Sequence, residues 1–207
     1  MSGATAATPQ RIGLLGGSFD PIHSAHLQLA HSAYTELALD AVWFIPAGQP
    51  WQRDPLAASA QQRWEMVNLA IDRLPGLRAC DIELRREGPS YTIDTVRELR
   101  AAHPDTAFTF ILGADQLRNL PTWNGWRDIV AQVDLAAARR PGYDDSAPIA
   151  LLAALAAHGH RLHRLDMAEI DLSATRVRER IAHGQPLDAL VPASVAHYID
   201  QHRLYQH

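Results

Sequence analysis

The stretch Arg11-Ile-Gly-Leu-Leu-Gly-Gly-Ser-Phe-Asp-Pro-Ile-His-Ser-Ala-His26 decides the fold of this chain. It opens with a short apolar run that is typical of a buried strand, and the run breaks at Gly16 and Gly17. Glycines without a Cβ let the backbone approach a ligand closely. The chain then brings His23 and His26 to the start of an apolar helix, where free N–H groups and the helix dipole favour an anion. Because the two imidazoles are three residues apart, they can face the same anion. The stretch therefore predicts a polyphosphate site.

Composition limits the other functions that this chain could have. Its 207 residues suffice for one α/β domain, and its formal net charge of −4 gives no general attraction to nucleic acid or to an anionic membrane. Residues 1–10 are expected to form a flexible lead-in and not a signal peptide, followed by a single domain over residues 11–207. No segment has the roughly 18 consecutive apolar residues that a membrane span needs. Cys80 is the only cysteine, which favours a reducing compartment, so we expect a cytoplasmic protein.

Apolar runs that alternate with helical spacing predict the architecture. Strands are expected at residues 12–15, 41–45, 108–112 and 134–138, with short extended segments within 77–84 and 161–165. Helices are expected after His26, from Ser59 with Gln62 as its capping-box partner, from Thr92 as a cap, and over residues 149–157, 175–183 and 192–202. This order predicts an α/β fold, a Rossmann-like doubly wound parallel sheet with a C-terminal helical portion.

The same architecture predicts where a ligand would bind. Ligands of such sheets lie beyond the carboxyl ends of the strands, where the strand order reverses. The Gly16-Gly17 turn and the turn Gly113-Ala114-Asp115 both follow strong strand patterns. If these two strands are neighbours, both turns face one crevice.

Several motifs in this chain resemble those of one enzyme family. The run from Gly17 to His26 resembles the signature of the nucleotidyltransferase superfamily related to class I aminoacyl-tRNA synthetases, and residues 172–178, Leu-Ser-Ala-Thr-Arg-Val-Arg, are similar to its second phosphate-binding element. Further motifs resemble bacterial nicotinate-nucleotide adenylyltransferases. They are Pro-Ser-Tyr-Thr at 89–92, Gly-Ala-Asp at 113–115 with Pro-Thr-Trp at 121–123, Arg-Arg-Pro-Gly-Tyr at 139–143, and the tail over 191–205.

The resemblance implies transfer of the AMP moiety of ATP to nicotinate mononucleotide, with Mg²⁺ accompanying ATP, and it implies roles for particular residues. The phosphate of the mononucleotide is already an anion, so the reaction needs alignment and charge stabilisation, not a general base. The implied catalytic residues are His23, His26 and Arg178. The implied ATP-binding residues are Gly16, Gly17, Ser18, Phe19, Arg53, Asp115, Ser173 and Thr175. The implied residues for nicotinate mononucleotide are Tyr91, Thr92, Trp123, Asn124 and Arg140.

Two residues depart from the motifs of this family. Ala25 stands where the superfamily has glycine, and Gln52 replaces the histidine of the second phosphate loop, so that loop would depend more on Arg53. The alternatives are an adenylyltransferase for nicotinamide mononucleotide or phosphopantetheine, and a nucleotide-binding regulator without turnover.

Some individual roles also stay open. Ser173 or Thr175 could be a simple helix cap, and Trp123 could be a core residue. Asp20 is expected to shape its turn or to contact Mg²⁺ indirectly. The histidines lack the partners of a zinc site, so no metal-binding residues are predicted. Both a monomer and a homodimer fit the sequence.

Overall fold

One parallel sheet carries the fold in the computed structural model, which describes residues 9–49, 56–138, 147–167 and 172–206. Within these ranges the sheet has six strands in the order β3-β2-β1-β4-β5-β6. The strands are β1 (Arg11–Gly17), β2 (Ala41–Pro46), β3 (Leu77–Ala79), β4 (Ala107–Leu112), β5 (Asp134–Ala138) and β6 (Leu162–Leu165). All neighbouring pairs are parallel. The predicted Rossmann-like doubly wound sheet is confirmed.

The helices lie in the connections between strands and at the carboxyl end of the chain. They are α1 (Ser24–Glu36), α2 (Ala60–Ile71), α3 (Thr92–Ala102), α4 (Ala114–Asn119), α5 (Trp126–Val130), α6 (Ile149–Ala157), α7 (Ala174–Ala182) and α8 (Ala193–Gln201), with a 3₁₀ turn at Leu120–Thr122. The predicted C-terminal helical portion is confirmed by α7 and α8. Among the described residues, no helix is both long enough and apolar enough to cross a membrane.

The strand order reverses at β1, which lies between β2 and β4. In register, Leu15 of β1 is opposite Ile111 of β4, while Gly17 is opposite Pro46 of β2. The turns that follow β1 and β4 therefore lie at the same edge of the sheet, as the sequence predicted. This edge is where a ligand of a doubly wound sheet is expected.

Two apolar clusters cover the two faces of the sheet. Leu15 belongs to the cluster that includes buried residues of α1, α2, α7 and α8, whereas Leu14 belongs to the cluster on the other face. Consecutive strand residues point to opposite faces, so each strand contributes to both layers. At Gly13, an added Cβ would come within 2.7 Å of Ile111 Cδ1 and 2.9 Å of Leu39 Cδ1, which explains a glycine inside a buried strand.

Three local predictions can be compared directly with the structure. The capping box of α2 is confirmed, because Gln62 N donates to Ser59 Oγ over 3.2 Å and Ser59 N donates to Gln62 Oε1 over 2.9 Å. The prediction of Thr92 as a cap is wrong, since Tyr91 is the N-cap and Thr92 is the first helical residue. The extended segment within 77–84 shortens to Leu77–Ala79 and passes into turns. The division into a lead-in and one domain over residues 11–207 stays a prediction.

Candidate active site

A cleft of about 1310 Å³ lies beyond the carboxyl ends of β1 and β4. It exceeds the roughly 300–1,000 Å³ of most small-molecule pockets, so it has room for two nucleotide-sized substrates. Most of the predicted site residues line it. These are Gly16, Gly17, Ser18, His23, His26, Tyr91, Thr92, Asp115, Trp123, Asn124, Ser173, Thr175 and Arg178.

The two histidines form a stacked pair at the start of α1. Their ring centroids are 3.6 Å apart and the ring planes differ by 21°. The backbone N–H of His23 donates to Nδ1 of His26 over 3.2 Å. Since Nδ1 of His26 accepts this bond, the proton of its neutral ring is on Nε2, which makes Nε2 a donor.

His23 is the more buried member of the pair, with 5% of its surface exposed. Its Nδ1 is buried without a hydrogen-bond partner. Burial lowers the pKa of His23 to about 4, because the charged ring is poorly solvated there. The imidazole is therefore neutral at pH 7 unless an anion enters the cleft and favours its protonated form.

The ring of Phe19 packs against the histidine pair. It is 1% exposed, and its ring packs edge-on against His26 at a centroid distance of 5.0 Å and lies 5.7 Å from the ring of Phe44. Phe19 does not line the cleft. Its side chain therefore belongs to the core, and its predicted contact with ATP stays a prediction.

Asp20 holds the turn between β1 and α1. Its buried carboxylate accepts hydrogen bonds from Ala57 N over 2.8 Å, from Ala58 N over 3.0 Å and from the Tyr205 hydroxyl over 2.7 Å. Burial, together with the Asp20 carboxylate, raises the pKa of Tyr205, so the phenol stays a donor. With three donors on its oxygens, Asp20 shapes the turn and is not positioned as a base.

Arg178 joins the two segments that the sequence predicts to bind phosphate. Its Nη1 donates to the backbone oxygen of Asp20 over 2.7 Å, across 158 residues of sequence, and its Nη2 donates to Thr175 Oγ1 over 3.3 Å. Ser173 is the N-cap of α7, where its Oγ accepts from Arg176 N over 3.2 Å. The cap interpretation of Ser173 is therefore correct, and the same helix start also faces the cleft.

The side of the cleft assigned to the acceptor is formed by α3 and by the segment after β4. The Trp123 ring lies edge-on to Phe110 at 6.2 Å, is partly buried against the core and lines the cleft. Trp123 is thus partly a core residue, and its predicted stacking on the pyridine ring stays a prediction. No side chain caps the first turn of α3, which begins at Thr92. Asp115 is exposed and pairs with Arg118.

Comparison with known proteins decides the family. A family model described as cytidylyltransferase-like matches residues 14–180. A Bordetella petrii protein named "Probable nicotinate-nucleotide adenylyltransferase" is 52% identical over 197 residues, which are 95% of this chain and 100% of that protein. A Bacillus pumilus protein of the same name is 39% identical, covering 95% of this chain and 99% of that one. The chain belongs to the nicotinate-nucleotide adenylyltransferase family. It is thus an enzyme of the nucleotidyltransferase class.

A solved structure of low identity shares the fold of this adenylyltransferase. Nicotinic acid mononucleotide adenylyltransferase from Plasmodium falciparum, complexed with NaAD, superposes with a TM-score of 0.78 at 17% identity. The match covers 95% of this chain and 97% of the Plasmodium chain. The agreement over nearly the full length shows that the sheet and its helices are arranged alike.

Sequence interpretation missed two buried charges of this adenylyltransferase, Arg63 and Glu83. Of the apolar residues that follow Ser59 at helical spacing, Val67 and Ile71 are buried, whereas Trp64 is half-buried and Leu74 lies beyond the helix, 41% exposed. The buried stripe of α2 consists of Arg63, Met66, Val67, Ala70 and Ile71. An arginine at helical spacing with buried apolar residues was the signal that could have revealed Arg63.

Glu83 is the second of these charges, and it lines the cleft with 9% exposure. Its Oε1 accepts from Thr95 Oγ1 over 2.8 Å, and burial raises the pKa of Glu83. It lies within a turn that has no recognisable sequence pattern, so the sequence had no signal for it.

The motif at 139–143, which contains Arg140, lies outside the described residues, as do Gln52 and Arg53. Their predicted roles stay predictions. Within the described part of the chain, no group of three or more His, Cys, Asp or Glu side chains could hold a metal ion.

Proposed function

We propose that this protein transfers the AMP moiety of ATP to nicotinate mononucleotide, giving nicotinate adenine dinucleotide and pyrophosphate. The single observation that carries the proposal is the bond from Arg178 to the backbone of Asp20, which brings both phosphate-binding elements to one wall of a two-substrate cleft. The names of the relatives from Bordetella petrii and Bacillus pumilus support the choice of acceptor.

The phosphate-binding wall would stabilise the charge that develops during transfer. Nε2–H of His26 is a donor because Nδ1 is already engaged. Arg178 adds a permanent charge. One hydrogen bond to the backbone of Asp20 and one to the side chain of Thr175 hold its guanidinium in place. The first turns of α1 and α7 both line the cleft, so the positive end of each helix dipole is near the bound phosphates. Donors that are aligned before reaction act without reorganisation when the phosphoryl group is transferred.

The acceptor would be bound at the other side of the cleft. The uncapped first turn of α3 near Tyr91 and Thr92 offers N–H groups and a positive dipole end. A nicotinate carboxylate gains about 0.3–1 kcal/mol more there than a neutral carboxamide. The pyridine ring of the mononucleotide is cationic, so the face of Trp123 suits it.

Mg²⁺ is proposed to enter with ATP and not to be held by a protein cage. Enzymes of this class generally use a divalent metal with ATP. The Asp20 carboxylate already accepts three hydrogen bonds, so the phosphate oxygens are proposed as the main ligands of the ion. We also propose a cytoplasmic location, which the single cysteine Cys80 supports.

The test is turnover with Mg-ATP and three separate acceptors. We expect pyrophosphate release with nicotinate mononucleotide, less with nicotinamide mononucleotide, and none with phosphopantetheine. His23→Ala should lower kcat, normalised to folded protein, by about 10²–10³-fold. Tight nucleotide binding without pyrophosphate from any acceptor would instead identify a regulator.

A further inference from the structure

Arg63 is a buried cation that lies directly behind the cleft. It is 1% exposed and is not among the residues that line the cleft, so it cannot contact a substrate there. The capping box formed by Ser59 and Gln62 defines where α2 begins. That start places Arg63 on the buried side of the first helical turn.

The guanidinium of Arg63 binds two separate loops at once. Nη1 donates to the backbone oxygen of Ser18 over 2.7 Å, in the loop that follows β1. Nη2 donates to the backbone oxygens of Ala47 over 2.7 Å and Gly48 over 3.3 Å, in the loop that follows β2. Ser18 belongs to the phosphate-binding wall, so a single side chain joins this wall to the neighbouring loop.

The loop after β2 continues to the acceptor side. The backbone N–H of Ser90 donates to the oxygen of Gln49 over 3.0 Å, immediately before Tyr91 and Thr92. Gly48 packs so closely on the next segment that an added Cβ would lie 2.3 Å from the backbone oxygen of Glu83. The contacts therefore run without a break from Ser18 through Arg63 to the start of α3.

We propose that Arg63 is a positioning residue of the transfer reaction, which holds the ATP loop and the acceptor loop at a fixed separation. The inference rests on the proposed function. In-line transfer depends on the distance and direction between the acceptor phosphate and the α-phosphorus, and a misplacement of about 1 Å costs on the order of 100-fold in rate. The planar fork of an arginine fixes carbonyl groups in two directions, whereas lysine has one charged point.

The charge of Arg63 is only partly compensated by its surroundings. Burial lowers the pKa of Arg63, while the carboxylates of Asp20 and Glu83 and the phenol of Tyr205 act in the opposite direction. Lysine at this position keeps a terminal nitrogen donor and loses the planar fork. The substitution therefore tests whether the two loops must be held in two directions at once.

The experiment compares Arg63→Lys with a matched control, Arg100→Lys. Arg100 also donates from Nη1 to a backbone oxygen, that of Thr106 over 2.8 Å, but Thr106 lies just before the amino end of β4 and not in the loops that follow β1 and β2. Wild-type turnover of nicotinate mononucleotide with Mg-ATP first establishes the proposed function by itself. We then expect Arg63→Lys to lower kcat, normalised to folded protein, by about 100-fold, with both KM values within about threefold of wild type. Arg100→Lys should keep the wild-type kcat.

Two results would overturn the inference while leaving the proposed function intact. A normalised kcat within about threefold of wild type would make Arg63 a purely structural residue. A raised KM for ATP with unchanged kcat would mean that it contributes uniform binding instead. If Arg63→Lys does not fold, Gly48→Ala moves the same loop with Arg63 intact. That variant should show the same loss in kcat, and an unchanged kcat would contradict the proposal.

Discussion

The burial of His23 predicts a specific loss of stability in acid. The pKa of this histidine is lowered from 6.5 to about 4 in the folded protein, because burial disfavours its charged form. Between these two values, the unfolded chain binds a proton at this residue and the folded protein does not. The free energy of unfolding must therefore fall as the pH drops from 6.5 towards 4. Above pH 6.5 the residue is mostly neutral in both states, so the effect on the free energy of unfolding becomes small.

The size of this effect follows from the two pKa values. At pH 5 the difference in proton-binding free energy between the unfolded and folded states is about 2 kcal/mol, and at pH 7 it is only about 0.2 kcal/mol. His23 is 95% buried, since its exposed fraction is 5%, so solvent screening reduces this value little.

Urea unfolding at pH 7 and pH 5 measures the effect, with His23→Asn as the reference. Asparagine is neutral at both pH values, and all other titrating groups are the same in the two proteins. The difference between them therefore isolates the titration of residue 23. Wild type should lose about 2 kcal/mol more than the variant between pH 7 and pH 5. An identical loss in both proteins would refute the assignment of a neutral, buried imidazole. Saturating ATP should reduce the difference, because a polyphosphate beside His23 favours its protonated form.

Two further substitutions test the anchoring of the turn and the acceptor site. Tyr205→Phe removes the 2.7 Å hydrogen bond to the buried Asp20 carboxylate, so the free energy of unfolding should fall by about 2 kcal/mol and the melting temperature by about 4–8 °C. An unchanged melting temperature in a thermal scan would show that this bond contributes nothing. Trp123→Leu keeps an apolar contact with Phe110 but removes the aromatic face, so KM for nicotinate mononucleotide should rise about fivefold, with KM for ATP unchanged. The measurement is steady-state kinetics with each substrate varied in turn. An equal rise in KM for nicotinate mononucleotide and KM for ATP would contradict the assignment of Trp123 to the acceptor.

The local features of the fold were readable from the sequence to different degrees. The apolar run before Gly16 and the capping box at Ser59 have short-range signatures, and both form as predicted. The N-cap was predicted at Thr92 because of its hydroxyl. In the structure Tyr91 has the extended N-cap conformation, and no side chain caps the helix. The burial of Arg63 was not predicted, because a pattern of apolar residues leaves arginine out. Its guanidinium is buried with hydrogen bonds to backbone carbonyl groups.

By itself, the sequence determined the alternation of strands and helices and the class of chemistry, and it predicted two phosphate-binding elements. These depend on the periodicity of apolar residues and on short motifs, which act within a few residues of one another. Only the tertiary structure decided that β1 and β4 are neighbours, that Arg178 reaches the backbone of Asp20, and that Arg63 joins two loops. It also decided the neutral state of His23. A pKa depends on which distant residues exclude water from the ring, and no local pattern carries that information.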